Sequence, residues 1–577
     1  MKKLRNLLPL LAILLVVGPS CSSKDETVDA PLPVYVPPVA DEQQQVPPVR
    51  FEAHELPMTH THGGTGKRFM PEPMGPGVTL LDYDGDGDLD LFFTNGREFE
   101  GEEPLDAAQI LLRNDGGLKF SDVSKSAGVD LHIYGQGACA ADYDGDGDTD
   151  LFITAVDGQR LLRNEGGRFT DVTNKAGLSA PTWTDSRGIE HAYWSTGATW
   201  VDVDADGLLD LFVGNYVRWS VENDLFTTID GKNKSFTTPE KYPGLSNLLY
   251  RNTGDGRFED ITKQAGVFNP AGKSLGVTTA DFNDDGKIDV VVANDTQPNY
   301  LYINAGGGTF TERGMAAGIA LDEAGRARAG MGIDVADLGN DGLPVVAIGN
   351  FSKEPISLFS ATEGGFFTDR SGAMRLSGPS LRPLTFGVLF VDYDLDGRQD
   401  LVAANGHLEP SIGDITSELN YAQKPQLFWN AGSEFVSAGT NAGQVFDKAI
   451  VARSIASGDL DGDGDPDLIL TINGGKALLL EHKGSKNHWL RVRLQKAGAK
   501  GTTIIGARVQ VRAGELSQTR WIRAGGSYLS QSELMPTFGL GTHSGAVEVE
   551  VRWPDGSSQK QQVESVDREI PVIYSAP

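Results

Sequence analysis

A nine-residue phrase, Asp-x-Asp-x-Asp-Gly-x-x-Asp, constrains this chain more than any other feature. It stands at Asp82, Asp84, Asp86, Gly87 and Asp90 and recurs at Asp142, Asp144, Asp146, Gly147 and Asp150. Further copies carry Asp202, Asp204, Asp206 and Asp210, then Asp281, Asn283, Asp285 and Asp289. Two more carry Asp392, Asp394, Asp396 and Asp400, and Asp459, Asp461, Asp463 and Asp467. A copy beginning at Asp337 departs, with Gly339 and Val345 at the third and ninth positions and Pro344 in the turn. The first aspartates lie 60, 60, 79, 56, 55 and 67 residues apart, which makes the chain a repeat protein.

The spacing specifies a chemistry. Oxygen ligands at positions 1, 3 and 5 of a tight loop converge on one point, and glycine at position 6 permits the sharp turn. Position 7 offers its backbone carbonyl, and Asp88 and Asp148 add carboxylates there; position 9 closes the shell. Several hard carboxylates without histidine or cysteine select Ca²⁺ over transition metals, and Mg²⁺ resists losing its waters. About six Ca²⁺ sites are expected, with the Asp337 loop weak or empty. An EF-hand would need flanking helices and a glutamate at position 12. Here the loops run into Leu91-Phe-Phe-Thr94, Leu151-Phe-Ile-Thr154 and Val290-Val-Val-Ala293, so each loop is the turn of a β-hairpin.

A second phrase follows each hairpin. Leu111-Leu-Arg-Asn114 leads to Phe120, Leu161-Leu-Arg-Asn164 to Phe169, and Leu249-Tyr-Arg-Asn252 to Phe258, with looser versions later. Each unit therefore holds four short strands, the make-up of a propeller blade. The predicted fold is all-β: a seven-bladed propeller over 49–484 with a small β-sandwich over 485–577. The seventh unit lacks a fourth strand, and Val49 to His54 supplies the missing phrase, closing the ring and removing exposed edges. In the last part, Val547, Val549, Val551 and Trp553 alternate with Glu548, Glu550 and Arg552, the period of a half-buried strand. Arg523, Tyr528, Ser530 and Gln531 read as polar groups closing a loop onto that domain's own sheet, or as a recognition patch.

Lys2, Lys3 and Arg5 precede the apolar run Leu7 to Val17, too short to span a bilayer. Residues 1–20 read as an export signal. Cys21 after Gly18-Pro-Ser20 resembles a bacterial lipobox, implying a lipidated cysteine followed by a Pro-rich spacer over 21–48. The expected location is an outer-membrane or cell-surface lipoprotein, otherwise periplasmic or secreted, with the lipid as the sole membrane contact. The chain has 79 acidic against 50 basic residues, for a formal charge of −29, which excludes nucleic acid because phosphates would be repelled. Only one other cysteine exists, Cys139, so stability comes from something other than disulfides.

These repeats resemble the FG-GAP/VCBS type of integrin α-subunit propellers and bacterial surface proteins. Gly506-Ala-Arg-Val509, Arg523-Ala-Gly525, Phe538-Gly-Leu-Gly541 and Val551-Arg-Trp-Pro-Asp-Gly556 resemble the ASPIC/UnbV domain, and the pairing resembles the group named for cartilage acidic protein. The resemblance implies a calcium-stabilised extracytoplasmic propeller that binds a protein or glycan partner. Insertions gather in connections away from the Asp loops, where binding usually resides. Trp183, His191, Tyr193, Trp194, Trp219 and His407 are the partner-binding candidates there, unless they merely pack their own loops. Two other readings stand beside this one: a polysaccharide-active hydrolase or lyase, and a structural envelope component. No G-x-S-x-G, H-E-x-x-H or Walker phrase is present, and no catalytic residue is assigned.

Overall fold

The computed structural model describes residues 45–99, 107–497 and 504–574. The expected export signal, Cys21 and the spacer through residue 44 lie outside them. Seven four-stranded antiparallel sheets carry the repeats. The first consists of Val78–Leu81, Asp90–Phe93, Ile110–Asn114 and Phe120–Asp122, and the second of Gly135–Ala141, Asp150–Ala155, Arg160–Asn164 and Phe169–Asp171. Each Asp loop joins the first strand to the second: Leu81 faces Asp90 and Ala141 faces Asp150 across the hairpin.

Burial explains the composition of the strands. The first two strands of these sheets are buried along their whole length, because neighbouring sheets cover both faces. They are accordingly near-continuous apolar runs. The third strand is buried at Leu111, Leu112 and Asn114 and half-buried at Ile110 and Arg113, and the three-residue fourth strand is the most exposed. The innermost strands neighbour one another in chain order, and the last, Ala452–Gly458, neighbours the first, Val78–Leu81. The sheets thus form a closed propeller.

The closure is as the sequence predicts, and longer. Phe51–Thr59 pairs antiparallel with Lys476–His482, with Phe51 opposite His482 and Ala53 opposite Leu480. The Phe51 ring packs against Tyr393, Phe446 and His482. An N-terminal strand in the last sheet ties the two ends of the repeat array together and completes that sheet's four strands.

The C-terminal part is a two-layer β domain. Thr537–Gly541, His488–Lys496 and Arg568–Tyr574 form one sheet; Leu516–Trp521, Arg508–Ala513, Val547–Arg552 and Ser558–Val563 form the other. Leu490, Val492, Val511, Phe538 and Val549 share the core between them.

Segment 523–533 does not close onto this domain's own sheet. It leaves the domain and fills the axis of the propeller. Gln531 N–H donates to Val78 O and Gln531 O accepts from Leu80 N–H, each at 3.0 Å, while the Gln531 side chain brackets Ala140, accepting from its N–H (2.9 Å) and donating to its carbonyl (3.2 Å). Thr199 Oγ1 donates to Ala524 O, Ile333 N–H to Ser527 O at 2.8 Å, and Ser454 Oγ to Tyr528 O at 2.6 Å. Arg523 pairs with Asp334, whose other oxygen accepts Phe390 N–H. The plug therefore bonds the innermost strands or their flanks in the first, second, third, fifth and seventh sheets, and Tyr528 meets Phe386 of the sixth edge-on at 5.0 Å.

Room for the plug and for the crowded axis is written at one position. Five residues before each first aspartate stands Gly77, Gly137, Gly197, Gly276, Gly332 or Gly387, and Ser454 in the last repeat. A Cβ at Gly77 would lie 2.0 Å from Leu529 O, and one at Gly332 would lie 2.3 Å from Phe386 O. Only glycine allows backbone this close. We expect Gln531→Ala to lower stability by roughly 1–3 kcal/mol, since it leaves Ala140 N–H buried without an acceptor. Chemical denaturation of the full chain checks this; an unchanged midpoint would remove the plug's stabilising role.

Candidate metal centre

The first and ninth aspartates build the loop by different bonds. At position 1, Asp82 accepts Gly85 N–H on Oδ1 (2.8 Å) and Gly87 N–H on Oδ2 (3.1 Å). The position-6 N–H reaches the first aspartate in all seven copies, including Gly342 to Asp337 at 3.1 Å. The degenerate fifth loop keeps the turn because it keeps Asp337. Position 6 is left-handed throughout, as its glycine predicts, and position 4 is left-handed too, even where it is Ala205 or Leu395.

Position 9 does more than close a shell. Asp90 Oδ2 accepts Tyr83 N–H (3.1 Å) from its own loop, and Oδ1 accepts Asn114 N–H (2.8 Å) at the end of the third strand. The same two bonds recur at Asp150, Asp210, Asp289, Asp400 and Asp467. In four repeats the asparagine that ends the third strand then reaches the preceding repeat, whereas Asn430 Nδ2 of the sixth donates to Gln399 O of its own repeat. Asn164 Nδ2 donates to Tyr83 O (2.7 Å), Asn252 Nδ2 to Tyr143 O (2.9 Å) and Asn304 Nδ2 to Val203 O (3.0 Å). Asn114 Nδ2 donates to Leu460 O (2.8 Å), joining the first repeat to the last, where buried His482 substitutes and bonds Tyr393 O. The fifth repeat loses both partners together, with Val345 for the aspartate and Ala361 for the asparagine. The sequence shows this paired loss; the asparagine's role as a clasp between repeats is visible only in the fold.

Position 3 is different again. Asp84 Oδ1, Asp144 Oδ1, Asp204 Oδ1 and Asp394 Oδ1 are buried without a hydrogen-bond partner among the described residues. Ligand oxygens of Asp82, Asp84 and Asp90 lie within 4.8 Å of one another, as do those of Asp142, Asp144 and Asp146, of Asp202, Asp204 and Asp206, and of Asp392, Asp394 and Asp400. Burial pushes Asp90, Asp150 and Asp289 up to about 8, and Asp210 and Asp467 to about 7, with other loop carboxylates adding to the rise. Asp392 and Asp400 are raised well above the ordinary carboxylate range by the same causes. Buried carboxylates that repel one another, with orphaned oxygens aimed inward, fit a hard divalent cation. Asp148 is turned away: its Oδ2 accepts Gly166 N–H at 2.7 Å. Asp285 and Asp396 are paired to Lys287 and Arg398. At the Asp337 loop, the Arg520 guanidinium opposes the upward push of burial on Asp337.

The C-terminal domain lies against the later loops. Arg491 pairs with Asp459 at 2.6 Å and with Glu533, and Arg508 pairs with Asp284 at 3.0 Å. A Cβ at Gly464 would strike the Trp489 ring, and one at Gly397 would strike Leu516.

The loops, the clasps and the appended domain have counterparts among known proteins. FG-GAP-like repeat matches cover residues 82–153, 142–213, 223–292, 281–348 and 392–470. The ASPIC and UnbV family matches residues 498–576. The chain belongs to the FG-GAP-like repeat family, with a C-terminal ASPIC/UnbV domain. It is homologous to cartilage acidic protein 1: the Homo sapiens protein is 25% identical over 517 residues, spanning 86% of this chain and 71% of its own. The Mus musculus protein is 25% identical over 529 residues, spanning 87% and 74%. Among solved structures, an Agrocybe aegerita lectin recognising non-reducing terminal N-acetylglucosamine aligns with 15% identity and TM-score 0.37, covering 70% of this chain and 86% of its own. A rhamnogalacturonan lyase aligns with 14% identity and TM-score 0.35, covering 76% of each.

Within this FG-GAP-like propeller, the aromatic partner candidates are not surface groups. Trp183, Trp194, Trp219 and His407 are buried, and His191 and Tyr193 half-buried. Trp194 stacks edge-on against Tyr216 and Trp219, and Trp183 lies over His191. Trp183 and His191 sit in an added hairpin, Thr182–Thr184 with Glu190–Ala192. Trp183, Trp194 and Trp219 belong to one cluster that also takes in Met70, Leu275 and Phe386. Long insertions must bury their own apolar area to hold a shape, and these aromatics serve that end. What the long connection over 216–247 exposes is Leu225, Phe226 and Ile229, with Phe226 69% exposed.

Two substitutions separate clasp from ligand. In the presence of chelator, Asp90→Ala is expected to lower stability by roughly 1–3 kcal/mol for each N–H left unpaired, whereas Asp84→Ala is expected to leave it within about 0.5 kcal/mol. Equal losses in urea titrations would refute the division of roles.

Proposed function

We propose that this protein is an exported, calcium-stapled binding scaffold without catalytic activity, anchored to a membrane through Cys21. The buried, unpartnered oxygens of Asp84, Asp144, Asp204 and Asp394 carry the calcium assignment, because an orphaned carboxylate oxygen is costly unless a cation meets it. Asp82, Asp86 and Asp90, with their equivalents in the other five intact loops, would complete each site. Bound Ca²⁺ supplies charge neutralisation and a crosslink across each hairpin. Neither matching family description names an enzymatic activity.

A protein partner suits the exposed surface better than a glycan. The flat aromatics of the insertion are buried, and the exposed tip is Phe226 flanked by aliphatic Leu225 and Ile229. Apolar side chains raised from a rigid scaffold on a loop are the usual anchors of protein recognition.

Chelation is expected to lower the melting temperature, since each site held at a hundredfold excess of Ca²⁺ over its Kd contributes about 2.7 kcal/mol. The sign with pH also follows. Without Ca²⁺ the ninth aspartates titrate near 7 to 8 when folded and near 4 when unfolded, so the folded state binds more protons in between. Chelated protein therefore loses stability as pH rises from about 4 to about 8, and added Ca²⁺ restores it most at the upper end. A melt insensitive to EDTA at pH 8 would overturn the calcium reading. For the partner, Phe226→Asp with Ile229→Asp is expected to abolish crosslinking to envelope proteins at an unchanged melting temperature; retained crosslinking would move the interface elsewhere.

A further inference from the structure

At the end of the propeller away from the Asp loops, a cavity with room for about 190 Å³ of solvent opens beneath the long insertions. Five separate parts of the chain build it, the fourth repeat contributing Leu275 and Asp295. Met70 and Met74 come from the segment before the first repeat, Tyr216 and Phe236 from the third repeat's insertion, Met331 and Phe351 from the fifth repeat, and Phe386 from the sixth. Three thioethers and several rings make a wall that is apolar, polarisable and adaptable, suited to a flat hydrocarbon body.

The polar part of the lining has one sign. Asp295, Glu354 and Glu240 face the cavity, and among the described residues no lysine, arginine or histidine lines it. Two of these carboxylates are held in place by one oxygen each. Asp295 Oδ2 accepts the Tyr216 hydroxyl at 2.6 Å, and Glu354 Oε2 accepts Ala329 N–H at 2.8 Å. Their other oxygens, Asp295 Oδ1 and Glu354 Oε1, have no hydrogen bond among the described residues. Cations act on these acids from outside the lining, Lys273 on Asp295 and Arg328 on Glu354, but their hydrogen bonds go to other groups: Lys273 donates to Pro239 O at 2.9 Å, and Arg328 to Ser357 and Asp369. Burial, with Glu354 and Glu240 adding to it, raises Asp295 to about 7, and burial raises Glu354 above its ordinary value. An enclosed, mostly apolar site with a few convergent, pre-positioned polar groups is the form that small-molecule sites take.

We propose that this cavity binds a small organic monocation, a primary ammonium group carried on an aromatic or apolar body. The ammonium would sit between Asp295 and Glu354, donating to their free oxygens, and the body would lie against Met331, Phe386 and Phe351. Neither the Asp loops nor the exposed 225–229 tip contributes to the lining, so loss of calcium binding or of a protein partner would leave this site's chemistry in place.

Calorimetric titration of the full chain in Ca²⁺-containing buffer tests this with tryptamine and phenethylamine against neutral 2-phenylethanol. The amines are expected to bind, with the alcohol at least about tenfold weaker, the discrimination that one charge-assisted contact confers. Asp295→Asn and Glu354→Gln each keep an acceptor for Tyr216 or Ala329 N–H and are expected to weaken the amines by about tenfold or more. If either variant fails to fold, the comparison of amine with alcohol on the unaltered chain still decides. Absence of amine binding, equal binding of the alcohol, or folded carboxamide variants that bind as the parent does would each overturn the proposal.

Discussion

The carboxylate at the ninth loop position is the hinge on which six of the seven repeats turn. Asp90 and its five equivalents accept one N–H from their own loop and one from the end of the third strand, so a single side chain joins the turn of the first hairpin to the strand beyond it. The asparagine beside that second N–H passes the connection to the preceding repeat, as Asn164 does to Tyr83 O. A single repeat cannot bury its own apolar faces, and its stability comes from covering both faces with neighbours. The clasp makes the neighbour relation specific: strand, loop and adjacent repeat are set by adjacent bonds. The fifth repeat, which has neither Asp nor Asn, holds its place by Asp337 and by the packing of Val346 and Ile348 with Ala293 and Phe359.

The axis poses a different constraint. Seven innermost strands converge there, and their backbones must approach one another and a segment from outside the ring. Glycine at one position of six repeats admits that approach, and the 523–533 plug then satisfies inner-strand N–H groups that would otherwise face an empty bore, such as Ala140 and Ile333. The C-terminal domain is consequently part of the propeller's core. Its arginines reach the same assembly from the loop side, where Arg491 meets Asp459 and Glu533. A positively charged surface set against acidic loops is a reason for two domains of such different make-up to share one chain.

The repeat, the hairpin at each Asp loop and the strand borrowed from residues 49–54 are legible in the residues because they rest on local spacing. The partner candidates are not. Trp183, Trp194 and Trp219 satisfy every compositional criterion for a recognition surface, yet an insertion this long forms a core of its own and takes its largest side chains inside. The exposed group, Phe226, carries no distinguishing signal in the sequence. The carboxylates of Asp295 and Glu354 are equally silent: they lie 59 residues apart in different repeats, and only the packing of the fourth repeat against the fifth brings both to the wall of one cavity.

By itself, then, the sequence determined what each repeat is: a hairpin whose turn is built from carboxylates, four strands long, repeated until it closes. That information is short-range, because loop geometry depends on residues within nine positions of one another. Tertiary structure decided what lies on the axis, which aromatics reach the surface and which carboxylates face each other. Those outcomes depend on contacts between residues tens to hundreds of positions apart, such as Gln531 with Ala140, 391 residues away, and no local pattern encodes them. The glycines five residues before each loop stand between the two cases, a local mark whose meaning appears only when the plug fills the space they leave.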